Sequence, residues 1–339
     1  QPHSGTQANQ AVLFALLRPG DTLLSMDLRV GGHFSHGAPG TLSGDWFAAR
    51  HYGVDPDTGL IDPEEVLAMA LRYRPRLIIA GASAYPRAMD FERFAAIAHE
   101  VGARLLVDMA HVAGLVATGH FANPLPHADV VTTTTYKNLR GPRGGLILCN
   151  DPSLAKQLDD ALCPGLQGTP LMQMIAAKAV AFGEALQPAF RSYSARVLLN
   201  ARALGDALAA QGIPQLTGGT DAPFVVADLR RLGLHAAPLV SALDVLQVGC
   251  SAVPVPGDLE FAQAHGLRLG VSALTTRGMA ETECVVIAGI VADVARALVA
   301  GSPPPAHLAD TVRALCRRFP LGSLDGNTVP PSSTLGNQS

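Results

Sequence analysis

Short continuous apolar runs alternate with amphipathic stretches through the first two hundred residues, and this alternation constrains the fold more than any other feature. Residues 22–25, 77–80, 104–107, 130–134 and 145–149 read as strands. Helical patterns occupy 6–17, stopped by Pro19-Gly20, then 63–72, then 91–101, closed by Gly102. Strands without polar alternation, separated by helices, predict an α/β fold with a mostly parallel sheet covered on both faces. From about Asp151 the texture changes. Helices over 170–186 and 193–211 lead to strand-like runs near Gln215 and over 224–227, with further helices at 236–246, 279–299 and 305–317. This predicts a smaller α+β domain. The expected boundaries are 1–186 for the large domain, 187–322 for the small one and 323–339 for a Ser/Pro/Asn/Gly-rich disordered tail.

Composition narrows the function. Apolar residues make up 48% and charged residues 16% of 339, enough for a sizeable core, and 25 basic against 28 acidic residues argue against a nucleic-acid or membrane-surface protein. Five scattered cysteines without a C-x-x-C fit a reducing, cytoplasmic compartment better than a disulfide framework. No apolar run is long enough to span a bilayer. Of the 25 basic residues only Lys137, Lys156 and Lys178 are lysines, so an amine nucleophile has three candidates. Lys156 and Lys178 fall in helical patterns and read as surface residues.

In parallel sheets ligands sit beyond the carboxyl ends of the strands, where Ser83, Asp108, His111 and Lys137 all fall. Asp108 closes a buried strand, so it is either a local helix cap or a carboxylate holding a protonated ring nitrogen. Lys137 follows four threonines and precedes a Gly/Pro turn; neighbouring arginines would lower its pKa and make it a nucleophile. Ser4-Gly5-Thr6 opens a helix and offers hydroxyls and N–H groups to a phosphate, or simply caps the helix. His33 and His36 share a glycine-rich loop; with no third ligand nearby in sequence, no metal is expected, and an imidazole over a flat cofactor is the functional alternative to a solvated side chain. Arg268 lies within an apolar strand and needs a carboxylate, from an internal salt bridge or from an amino-acid substrate.

The segments QPHSGTQAN, GGHFSHG, LIIAGASAYPR, VDMAHVAGLVATG, VVTTTTYKNLRGPRGG and VRALCRRFPL together resemble the serine hydroxymethyltransferase family, over about nine-tenths of the chain. The resemblance implies a fold-type I pyridoxal-phosphate enzyme with a seven-stranded type of sheet. It would interconvert serine and glycine, with tetrahydrofolate accepting the one-carbon unit. It further implies Lys137 as the Schiff-base lysine, Asp108 on the pyridinium nitrogen, His111 with Ser83 near the ring oxygen, and His33 stacked on the ring. Ser4, Gly5 and Thr6 would hold the phosphate, Thr134 would neighbour the lysine, Arg268 would bind the substrate carboxylate, and Leu28 would border the folate. Gly168 and Thr169 would reach the phosphate of a partner subunit, making a homodimer, or a tetramer built from it, the expected assembly.

Departures from the family pattern keep alternatives open. Tyr136 replaces a histidine, Asn138 a threonine, and Thr169 a glycine in the loop from Pro164 to Pro170. Small residues occupy 248–254 where asparagines belong, and the Ser-Pro-Phe that follows is missing. The family's N-terminal arm, with a glutamate and tyrosines that act on the hydroxymethyl group and folate, is not in the sequence. The alternatives are a folate-independent β-hydroxy-amino-acid aldolase or transaldolase, an α-methylserine enzyme, and a non-catalytic paralogue.

Overall fold

The computed structural model describes residues 1–321; residue 322 and the expected tail lie outside the described residues. In chain order the first part runs α1 (Gly5–Leu16), β1 (Thr22–Met26), α2 (Leu42–Trp46), β2 (Ala48–Tyr52), α3 (Pro63–Tyr73), β3 (Leu77–Gly81), α4 (Phe91–Val101), β4 (Arg104–Asp108), α5 (Ala113–Ala117), β5 (Val130–Thr134) and β6 (Gly145–Leu148). The strands form one sheet in the order β2-β1-β3-β4-β5-β6, parallel except for β6, which runs antiparallel to β5. Leu77, Ile78 and Ile79 of β3 are fully buried, as a strand covered on both faces must be. Each such side chain contributes roughly 1.5–3 kcal/mol on leaving water.

Six strands stand among the described residues, not the seven that the resemblance implied. Beyond β6 the chain turns at once into a helix, because Asp151 accepts the Ser153 N–H and Pro152 sits in the first turn, where it favours a helix start. That helix, α6 (Pro152–Leu162), contains Lys156, whose helical pattern the sequence showed without bounds. The elements that the sequence pattern did not announce are β2, the short helices α2, α5 and Ser272–Thr276, and the strand Ser251–Val253. β2 reads Ala-Ala-Arg-His-Tyr, with polar residues as edge strands often have. α6 presents Leu154, Leu158 and Leu162 at four-residue spacing and packs against α1.

The remainder comprises α7 (Met172–Ala185), α8 (Pro188–Ala210), β7 (Phe224–Asp228), α9 (Ala236–Val245), β8 (Ser251–Val253), β9 (Gly266–Gly270), α10 (Ser272–Thr276), α11 (Glu281–Val299) and α12 (His307–Arg318). A three-stranded antiparallel sheet, β7-β9-β8, shares a second core with α8, α9 and α11, in which Val197, Leu204, Val225, Leu239, Leu267 and Val291 are buried. The run near Gln215 makes only a single bridge to Ala227. Phe190, at the start of α8, packs into the first core, so this helix links the two. Among the described residues no helix is long and apolar enough to cross a membrane.

Candidate active site

The parallel strands β3, β4 and β5 end side by side at Gly81, Asp108 and Thr134, and α1 begins beside them. These ends border a cavity. Gly5, Thr6, His33, Ser83, Asp108 and His111 line one part of it, and Thr134, Tyr136 and Lys137 the other. A wider cleft continues from His111, Tyr136 and Lys137 towards Phe224 and Arg268 of the second sheet. Residues scattered over 260 positions therefore meet at one place.

Close packing sets the floor. A Cβ on Gly5 would stand 2.8 Å from Thr134 Cγ2, so only glycine lets the start of α1 approach the end of β5 this closely. Ser4 caps α1, its Oγ accepting the Gln7 N–H at 3.1 Å. The Gly5 and Thr6 N–H groups precede the first helical hydrogen bond and remain available to an anion. The phosphate and cap readings of this segment are thus compatible.

Asp108 is held from three sides. Its Oδ2 accepts from Asn9 Nδ2 at 2.8 Å and from His36 Nε2 at 3.0 Å, while Oδ1 accepts the Ala110 N–H at 3.0 Å. Burial by itself would raise this carboxyl. The His36 hydrogen bond and charge, the charge of His33 and the Asn9 hydrogen bond outweigh it and hold Asp108 well below the usual carboxylate range. Asp108 does bond a local N–H, but it does not cap α5, which starts at Val112 without a side-chain cap. Asn9 and Thr132 were not singled out as site residues by sequence, and His36 was weighed only as the loop partner of His33. Asn9 had a signal: it is a polar residue on the stripe of Gly5, Ala8, Val12 and Leu13 that α1 buries. His33, His36 and Asp108 place ligand atoms within 4.8 Å of one another, so the third metal ligand missing from the local sequence exists in space. The hydrogen bond from His36 to Asp108 accounts for that closeness.

Lys137 Nζ donates to His111 Nε2 at 2.9 Å. Burial, with a smaller push from Arg268 and an opposing pull from Asp108, lowers the amine to about 8. The sequence argument assigned that effect to neighbouring arginines. In the structure Arg140 lies over the Tyr193 ring and Arg143 over the Tyr136 ring, and the cation that acts on Lys137 is Arg268. His111 is pushed far below its ordinary value by burial and by Lys137 and Arg268, so it is neutral and can accept. Its ring meets Phe224 edge-on at 5.7 Å.

Arg268 donates to the Ser83 carbonyl at 2.7 Å and lies over the Phe224 ring, and no carboxylate pairs with it among the described residues. The internal salt bridge that sequence allowed is therefore not formed. A buried guanidinium next to an open cleft is ready for an anionic ligand. Thr134 is buried with its hydroxyl donating to the Ala110 carbonyl at 3.4 Å.

Three expected residues stand apart. Leu28, in a short 3-10 turn over Leu28–Val30, lines neither cavity. Gly168 and Thr169 lie in a loop outside both, in which Gln167 Nε2 donates to the Gln7 side chain and to the Gln1 carbonyl. Lys178 is buried, not on the surface: its Nζ donates to the Gly145 carbonyl at 2.7 Å beneath the Gly144-Gly145 turn.

The family model for serine hydroxymethyltransferase matches residues 1–291. The chain belongs to the serine hydroxymethyltransferase family. It is 53% identical over 326 residues to the serine hydroxymethyltransferase of Rhodospirillum centenum, covering 95% of this chain and 76% of that protein. Identity to serine hydroxymethyltransferase 2 of Burkholderia pseudomallei is 51% over 327 residues (95% and 77%), and to the enzyme of a Cyanothece species 53% over 330 residues (95% and 75%). The chain thus spans about three quarters of the length of these relatives.

Proposed function

We propose that the protein interconverts serine and glycine with pyridoxal phosphate as cofactor and tetrahydrofolate as one-carbon acceptor. The observation that carries this is the grouping of an amine lowered to about 8 and an ionised buried carboxylate at the cavity of the strand ends, with a guanidinium that no carboxylate pairs among the described residues in the cleft that continues from it. The residues fit the cofactor: the Gly5 approach opens the start of α1 to a phosphate, and the ionised Asp108 suits a protonated ring nitrogen. When bound, pyridoxal phosphate supplies an electron sink for the pair left on Cα as the Cα–Cβ bond breaks.

The chain's own groups do the rest. Ser4, Gly5 and Thr6 would hold the phosphate, and Asp108 would keep the ring nitrogen protonated. His33, Ser83 and His111 would contact the ring. Lys137 would supply the amine that holds the cofactor, and its Nζ lies 2.9 Å from the neutral His111, with which it can share a proton. Arg268 binds the amino-acid carboxylate from the second sheet and so fixes the bond to be broken relative to the ring. Residues 1–186 make up the cofactor-binding domain and 187–321 the domain that carries Arg268. Gly168 and Thr169 are read, from the family resemblance of their loop, as reaching the phosphate of a second subunit; they line neither the cavity nor the cleft described above.

Serine cleavage by the protein, measured with and without tetrahydrofolate beside threonine and α-methylserine, tests the reading. Strong stimulation of serine turnover by folate is expected. Equal rates without folate, joined to a preference for threonine, would make the protein an aldolase; a preference for α-methylserine would make it the α-methylserine enzyme.

A further inference from the structure

Asn9 is fully buried near the start of α1, in contact with two walls of the cofactor cavity. One amide hydrogen goes to Asp108 Oδ2 at 2.8 Å and the other to Ser35 Oγ at 2.8 Å. Its Oδ1 accepts from Thr132 Oγ1 at 2.6 Å. Asp108 is ionised and can only accept, so the NH₂ end of Asn9 must face it. Oδ1 must then face Thr132, whose hydroxyl must donate. Ser35 Oγ receives the second amide hydrogen and stands 2.7 Å from His33 Nδ1, with its own proton free to be given to that nitrogen. The Ser35 N–H is aimed at the same nitrogen at 3.2 Å. His33 Nδ1 is therefore an acceptor, and the single ring proton sits on Nε2. Each hydrogen in the chain from Thr132 to His33 has one position.

We infer that Asn9 is a positioning residue that couples the carboxylate beneath the cofactor ring to the imidazole over it. Through one amide it orients Asp108 and, by way of Ser35, holds His33 neutral in its Nε2–H form. The coupling has a chemical purpose. A ring with a protonated nitrogen is cationic, and a protonated His33 against its face would set like charges together in a buried site. The coupling rests on the proposed placement of pyridoxal phosphate between His33 and Asp108; the hydrogen-bond chain itself does not.

The test uses the full chain with ¹⁵N-labelled histidine, with and without pyridoxal phosphate, reading which nitrogen of His33 carries the proton; His33→Gln assigns the signal. Three variants follow. Ser35→Ala removes the hydroxyl that links Asn9 to Nδ1 and keeps the backbone N–H. Thr132→Val keeps the shape but loosens the Asn9 amide by leaving its Oδ1 without a donor, and Thr132→Ser restores the hydroxyl. The wild type is expected to show His33 protonated on Nε2 alone. Ser35→Ala and Thr132→Val should give a mixture of tautomers and bind pyridoxal phosphate about tenfold more weakly, the cost of one lost hydrogen bond to a charged or buried partner. Thr132→Ser should recover both. A proton on Nδ1 in the wild type, or an unchanged tautomer in Ser35→Ala, overturns the inference. A wild type with the expected tautomer that binds no pyridoxal phosphate would contradict the proposed function and leave the hydrogen-bond chain standing.

Discussion

Single side chains in this site take their chemistry from surroundings that a linear sequence does not display. Asp108, Lys137, His111 and Arg268 were legible as candidates because a charge ending or interrupting an apolar strand stands out. What tunes them was not. The lowering of Lys137 comes first from burial and then from Arg268, 131 positions away, while the arginines beside it in sequence are occupied by tyrosine rings. The same blindness hid the burial of Lys178, whose partner is a backbone carbonyl 33 positions away. A measurable consequence follows for Lys137. Only its unprotonated form can attach the cofactor, and that form grows as pH rises to about 8. The rate at which pyridoxal phosphate rejoins the stripped protein should climb nearly tenfold per pH unit below about 8 and level off above it. A rate still climbing past pH 10 would mean that the amine is an ordinary exposed lysine.

At the scale of elements, periodicity located the strands that carry the site, because all five are apolar enough to announce themselves. It missed β2, whose exposed edge tolerates Arg50 and His51, and gave no bounds to α6, whose three leucines at four-residue spacing follow directly on a strand. The helix α7 is the informative one for assembly. Apart from the buried Lys178 its only charged residue is Glu184, yet Met172, Ile175 and Val180 are exposed and only Lys178 and Ala181 are buried. An apolar helix with so little of itself covered calls for a partner surface. It follows directly on the loop of Gly168 and Thr169, which is read as completing a neighbour's site. The protein should therefore sediment as a homodimer or a tetramer built from two dimers, and Ile175→Glu together with Val180→Glu should shift it towards monomer and lower its cofactor affinity. A fully active wild-type monomer would contradict this reading.

Across the whole molecule, two cores of different construction meet at one cleft. The parallel sheet presents Asp108 and Lys137 from its strand ends, and the antiparallel sheet brings Arg268 to face them. The sequence pattern separated these two textures near Asp151, while α8 bridges them, with Phe190 in the first core and Leu204 in the second. The departure at Tyr136 lines this cleft and that at 248–254 includes β8, whose Ser251 pairs with Arg268; neither removes any of the charged groups that the chemistry uses. The central claim is that Lys137 is the residue that carries the cofactor. Loading the protein with pyridoxal phosphate, fixing it with borohydride and mapping the labelled peptide tests this most directly. The label is expected on the peptide containing Lys137; label on the peptide of Lys156 or Lys178 instead would contradict the account.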